Sequence, residues 1–141
     1  MLKSSCKQKG KRFEEEWAKF LKETNLDPTA SRNPSSGGGL KKGDIKTQLD
    51  YHFECKKVEK LNIWSAIQQA ERDASLVNKT PCVIISKNFL NEPWVLLPAS
   101  KWAELEKLKK EANIQSYTPH LKWKINNAIK SLKDLLKEID L

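Results

Sequence analysis

The chain has 141 residues, with 26 Lys or Arg against 18 Asp or Glu, for a net charge of +8. A hydrophobic share of 38 % and a charged share of 31 % exclude an intrinsically disordered chain and predict one soluble globular domain. No apolar run approaches the roughly 20 residues needed to cross a bilayer, and the basic start has no apolar h-region of a signal peptide.

Cys6, Cys55 and Cys82 are widely spaced and form no CxxC pair, which argues against a zinc site or a disulfide framework and for reduced thiols in a cytoplasm. The basic balance favours a polyanionic partner (DNA, RNA or anionic membrane) without choosing among them.

In chain order, residues 1–12 carry Lys3, Lys7, Lys9, Lys11 and Arg12 and no acid, and read as a solvated tail or a phosphate-binding arm. Phe13, Trp17, Phe20 and Leu21 fall at helical spacing and predict a helix of about three turns, ending near Thr24-Asn25 before Asp27-Pro28. Residues 28–32 suit a short strand, and NPSSGGGLKKG is a loop by composition. Asp44–Gln48 and Leu49–Lys56 read as two strands, with a hairpin turn near Gln48–Asp50.

Leu61–Val77 is expected to be a second helix and PCVIIS a strand buried on both faces, so the helix between them is a crossover and the sheet is mixed. WVLL (94–97) is a further strand. Ser100 is expected to cap a helix to about Glu111, residues 113–120 to be a loop, and Leu121–Ile139 a last amphipathic helix.

Period two on the second strand puts Glu54 and Lys56 on one face, with Tyr51, Phe53 and Cys55 on the other. Hydrolysis of a phosphodiester needs an activated water and charge relief on the phosphate. A hard divalent cation on oxygen ligands supplies both. Asp44, after a glycine-rich loop, and Glu54 could hold it, with Lys56 beside the water. The plain alternative is a solvated Glu-x-Lys charge pair. His52 shares the Glu54 face and could touch DNA or stand just behind the metal ligands, but a strand histidine near a sheet edge is the commoner case. The tryptophans suit core or interface positions, Trp64 and Trp94 being candidates for a dimer interface, and Cys55 suits a small core hydrophobe.

Gly-Asp, a strand, then Glu-Cys-Lys resembles the PD-(D/E)xK nuclease superfamily. The ordered set KGKRFEEEW, SRNPSSGG, GDI, FECKK, a helix with QQA, and PCVIISKNF resembles the archaeal-type Holliday junction resolvases and their phage relatives over about residues 9–110. The resemblance implies an α/β restriction-endonuclease-like fold, with a central mixed five-stranded sheet flanked by helices and an added C-terminal helix. Residues 1–112 would form the nuclease core and 113–141 a loop and helix that pack on the core, extend a dimer interface or lie on DNA.

The resemblance further implies a homodimeric endonuclease that cuts a four-way DNA junction in paired, symmetric fashion, leaving 5′-phosphate and 3′-hydroxyl ends. Asp44, Glu54, the Cys55 backbone carbonyl and Glu14 would bind Mg2+, with Mn2+ able to substitute, and Lys56 would assist the water. Glu14 is chosen over Glu15 and Glu16 by its spacing from Gly10. Ser36 and Gln69 (or Gln68) would act at the scissile region. Lys9, Lys11, Arg12, Arg32, Ser35, Ser36, Lys41, Lys42 and Lys57 would contact DNA. No membrane and no small-molecule cofactor is expected, and the location is the cytoplasm, of the host if the gene is a phage's. The competing readings are a nuclease of the same fold acting on other DNA, betrayed by a preference for linear duplex, and a non-catalytic DNA-binding relative, which would have no need of Asp44, Glu54 and Lys56 together.

Overall fold

The computed structural model describes residues 3–34 and 43–139, with side chains described throughout these except at 3–5 and 114–117. Its elements are α1 (Lys3–Glu23), β1 (Ser31–Arg32), β2 (Ile45–Lys46), β3 (Tyr51–Lys57), α2 (Ile63–Leu76), β4 (Thr80–Ser86), β5 (Trp94–Leu96) and α3 (Ala99–Ile139). They fall into two compact units, Met1–Pro98 and Ala99–Leu141.

In α1, Phe13, Trp17, Ala18 and Leu21 form one buried stripe. The helix starts ten residues earlier than the apolar spacing predicts, because Lys and Gln propagate a helix well and the packed turns from Phe13 onward supply a nucleus for polar turns to join. It stops as expected: Asn25 takes φ 56°, a left-handed position asparagine tolerates, and the amides of Leu26 and Asp27 both reach back to the Leu21 carbonyl.

β3 and β4 run parallel, with Phe53 opposite Cys82 and Glu54 opposite Val83, and α2 is the crossover between them. β5 pairs antiparallel with β4, so the sheet is mixed in the order β3-β4-β5. Cys82, Val83 and Ile84 of the central strand are buried, as an unbroken apolar run requires. The α1 stripe packs on one face of the sheet with Ile45, Phe53, Cys82 and Ile84. On the other face lie Ala66 and Ala70 of α2, over Val83. Alanines at 66, 70 and 74 let the helix backbone lie close to the strands. Asn62 caps α2 by accepting the Ser65 amide at 3.0 Å.

The expected five-stranded central sheet is not what the chain forms. Five strands are present among the described residues, but they divide into this three-stranded sheet and a separate antiparallel pair, β1-β2, with Arg32 opposite Ile45. Two side chains explain the break. The Asp44 carboxylate accepts the Cys55 amide at 2.7 Å, taking a donor that a β2–β3 ladder would use, and one backbone bond, from the Asp44 amide to the Phe53 carbonyl, joins the pair to β3. The turn expected near Gln48–Asp50 is held by buried Asp27, which accepts the Thr47 hydroxyl at 2.5 Å and the Gln48 amide at 2.9 Å. The Thr29 hydroxyl, with these bonds and the Thr29 amide, holds the Asp27 carboxyl well below the usual carboxylate range.

In the second unit the loop expected over residues 113–120 is helical, and α3 runs without a break through Pro119. A proline removes one backbone donor and crowds the preceding turn, yet the Lys-, Glu- and Leu-rich turns on both sides continue the helix past it. Ser100, expected as the cap, lies in the first turn, because the helix begins directly after Pro98. Of the five tryptophans only Trp17 is buried; Trp64, Trp94, Trp102 and Trp123 are exposed. Leu121, Ile125, Leu132, Leu135 and Ile139 of α3 are exposed too.

Candidate active site

Asp44 follows Gly43, whose φ of +73° is a left-handed conformation that L side chains adopt only under strain. A Cβ there would also lie 3.3 Å from the Phe53 carbonyl and 3.4 Å from the His52 ring. The glycine thus lets the chain turn tightly against β3, and Asp44 lands beside the strand that carries Glu54 and Lys56.

Three acids lie near this edge, and the charges of Glu54 and Glu14 are felt at Asp44. Asp44 is held by the Cys55 amide. Glu54 is buried under α2, where its Oε1 accepts Lys56 Nζ at 2.6 Å and Gln69 Nε2 at 2.7 Å; Lys56 Nζ also donates to Gln69 Oε1 at 3.2 Å. Glu14, one turn before Trp17 on α1, accepts Arg32 Nε at 2.7 Å. Burial, then the charges of Glu54 and Glu14, push the Asp44 carboxyl up to about 7, against the pull of the Cys55 amide and Lys56. That is the electrostatic signature of an acid crowded by acids with too little positive charge nearby. The donors are oxygens throughout, so the set suits a hard divalent cation.

Of the residues expected at the site, the model brings together Asp44, Glu54, Lys56 and Gln69, with Glu14 and Arg32 as an ion pair whose Glu14 charge is felt at Asp44. Gln68 is exposed on the outer side of α2, and Glu15 and Glu16 are exposed as well. Cys55 contributes its amide to Asp44, and burial raises its thiol well above the ordinary range, so the sulfur stays protonated. Lys9, Lys11 and Arg12 are exposed along α1. Lys57 turns to the α1 face, 3.6 Å from Glu16 and over the Phe13 ring, on the opposite side of the strand from Lys56. Ser35, Ser36, Lys41 and Lys42 lie outside the described residues.

His52 shares the Glu54 face and lies on an outer strand of the sheet, as expected, but its depth was not legible. It is 3 % exposed, beneath α2 on the Glu54 face, and burial holds its imidazole below the usual range. Asp73, 2 % exposed and one turn beyond Gln69, was missed outright. The available signal was an acid on the stripe that Ala66, Ala70 and Ala74 mark as buried.

A mixed sheet with a parallel crossover, an acid ahead of β3, and Glu-x-Lys within it are consistent with a nuclease of the PD-(D/E)xK type. The chain matches, over residues 5–140, the model of the family described as "Phage putative PDDEXK endonuclease", and it belongs to that family. No curated protein and no solved structure matches it. Endonuclease membership makes DNA the substrate class. Among the described residues no helix is long and apolar enough to cross a membrane.

Proposed function

We propose that the protein is a Mg2+-dependent endonuclease that resolves four-way DNA junctions by paired symmetric cleavage as a homodimer, leaving 5′-phosphate and 3′-hydroxyl ends. The observation that carries the nuclease chemistry is Lys56 held 2.6 Å from Glu54, with Asp44 near enough for the charges of Glu54 and Glu14 to raise its carboxyl. Junction specificity is supported by the ordered motif set from Gly10 through PCVIISKNF. The homodimer is supported by exposed apolar surface. On α3, Leu121, Ile125, Ala128, Leu132, Leu135 and Ile139 repeat at alternating steps of four and three, the spacing of a helix that packs on another helix.

Asp44, Glu54 and Glu14 would hold the cation, with the Cys55 carbonyl as a further oxygen. When bound, it supplies charge relief on the phosphate and lowers the cost of deprotonating a water. The chain's own groups do the rest. The Cys55 amide fixes the direction of the Asp44 carboxylate. Gln69 bonds both Glu54 and Lys56, so α2 sets where the ammonium sits. Lys56 places a positive charge and a proton donor next to the acids, where a phosphate oxygen would lie. Arg32, paired here with Glu14, would be free to contact a neighbouring phosphate if that carboxylate served a cation instead. Exposed Lys9, Lys11 and Arg12 along α1 offer further phosphate contacts, so affinity for DNA falls steeply with salt.

The second reading is a nuclease of this type on other DNA. A synthetic four-way junction, a matched linear duplex and a nicked duplex, each incubated with Mg2+, separate the two. Paired symmetric nicks on the junction alone are expected. Equal cutting of all three substrates would overturn junction specificity while keeping the nuclease.

A further inference from the structure

We propose that His52, Glu54 and Asp73 form a second cation site, suited to a transition-metal ion such as Zn2+ or Mn2+ rather than to Mg2+. Their ligand atoms, one ring nitrogen and one oxygen from each carboxylate, lie within 4.8 Å of one another, and all three residues are buried. An ion with bonds of about 2.0–2.2 Å needs its ligands about 3–4 Å apart, a spacing that small side-chain rotations reach from here.

A separate observation points to a ligand. His52 Nε2 is buried with no hydrogen-bond partner, and a buried polar nitrogen left unpaired costs roughly 1–3 kcal/mol. Trp17 Nε1 is the other such nitrogen among the described residues, in an apolar cluster, whereas the His52 ring stands beside two carboxylates. The site is also built from rigid parts. His52 and Glu54 are alternate residues of β3, so they share a face. Asp73 comes from α2, whose neighbouring Ala70 and Ala74 are fully buried, which fixes the helix over the strand.

The donor set decides the class of ion. One imidazole with two carboxylates suits Zn2+, Mn2+, Co2+ or Fe2+, whereas Mg2+ prefers oxygen and keeps most of its water. Glu54 links this group to the Asp44 cluster, since its Oε1 is already engaged by Lys56 and Gln69. The plainer alternative is a buried histidine–carboxylate contact that merely fastens α2 to β3 and binds no ion.

The test uses the full chain carrying Asp44→Asn, which disables the neighbouring cation site, so the readout is independent of cleavage and of the nuclease reading. Zn2+ is titrated while the imidazole 15N signals are followed. The chain has two histidines, and His120→Gln identifies the second. The expected result is a saturable, one-equivalent shift of the His52 ring nitrogen, with the Zn2+ affinity from calorimetry at least ~10-fold weaker when Asp73→Asn is added. A His52 signal that Zn2+ does not move overturns the site, and needs no variant at His52 or Asp73 to fold. Equal Zn2+ affinity with and without Asp73→Asn, in protein shown to be folded by its melting curve, overturns it as well.

Discussion

Asp44→Asn protein is expected to melt higher than wild type in metal-free buffer at pH 8, and to lose cleavage by on the order of 10³-fold. Both effects have one origin. Burial and the charges of Glu54 and Glu14 raise the Asp44 carboxyl from 3.8 to about 7. Between those values the folded chain keeps a proton that the unfolded chain has released. Stability therefore falls as pH rises through this window, and the loss is complete above about 7. Each unit is worth about 1.4 kcal/mol, so the ceiling is about 4 kcal/mol. The site is partly open to water, and a gain of about 1–2 kcal/mol in the amide variant is the realistic share. Asparagine carries no charge to repel and cannot serve as an anionic ligand. Mg2+ should then reverse the order, stabilising wild type by mass action and leaving the variant unmoved. Thermal melts of both proteins at pH 5 and pH 8, with and without Mg2+, check this. Equal melting temperatures in metal-free buffer at pH 8 would contradict the crowding of acids described above.

The affinity of wild type for Mg2+ is expected to rise about tenfold for each pH unit up to about 7 and to level off above it. Below that point Asp44 holds a proton, and a cation entering the cluster must displace it. Above it the carboxylate is already ionised and nothing is released. Calorimetry in two buffers of different ionisation heat should count close to one proton released at pH 6 and close to none at pH 8.5. An affinity flat from pH 6 to 8.5 would mean that no ligand carboxyl titrates in this range, contradicting a protonated Asp44 in the cation-free site. The same measurement on Asp44→Asn protein should show neither the binding nor the proton.

How legible the sequence was depended on which residues carried the information. The β3–α2–β4 crossover could be read directly, because Phe53 and Cys55 alternate with Glu54 and Lys56, the α2 stripe is spaced as a helix, and PCVIIS is apolar throughout. The same alternation put Glu54 and Lys56 on one face, and the acid after the glycine-rich loop marked Asp44 as their companion. What could not be read rests on side chains acting on distant backbone. Asp27 looked like a helix stop before a proline; its bonds to Thr47 and Gln48 are made 20 or more residues away and bend the chain before β3. Asp44 capping the Cys55 amide splits the sheet where two adjacent strands had suggested a hairpin. The helical turns before Phe13 and those around Pro119 were missed for a common reason: neither has an apolar period, and each extends a helix established elsewhere. The depth of His52 on the edge strand β3 could not be read, because it is set by the three alanines of α2, not by anything in the strand.

The measurement that tests the central claim most directly is single-turnover cleavage of an end-labelled four-way junction by wild type and by Lys56→Met, each with Mg2+ and with EDTA. The expected result is cutting by wild type with Mg2+ to 5′-phosphate ends, none in EDTA, and a rate at least ~10²-fold lower for Lys56→Met with junction binding retained. Cleavage that survives EDTA, or runs at the wild-type rate without the Lys56 ammonium, would contradict a cation-dependent site built on Asp44, Glu54 and Lys56.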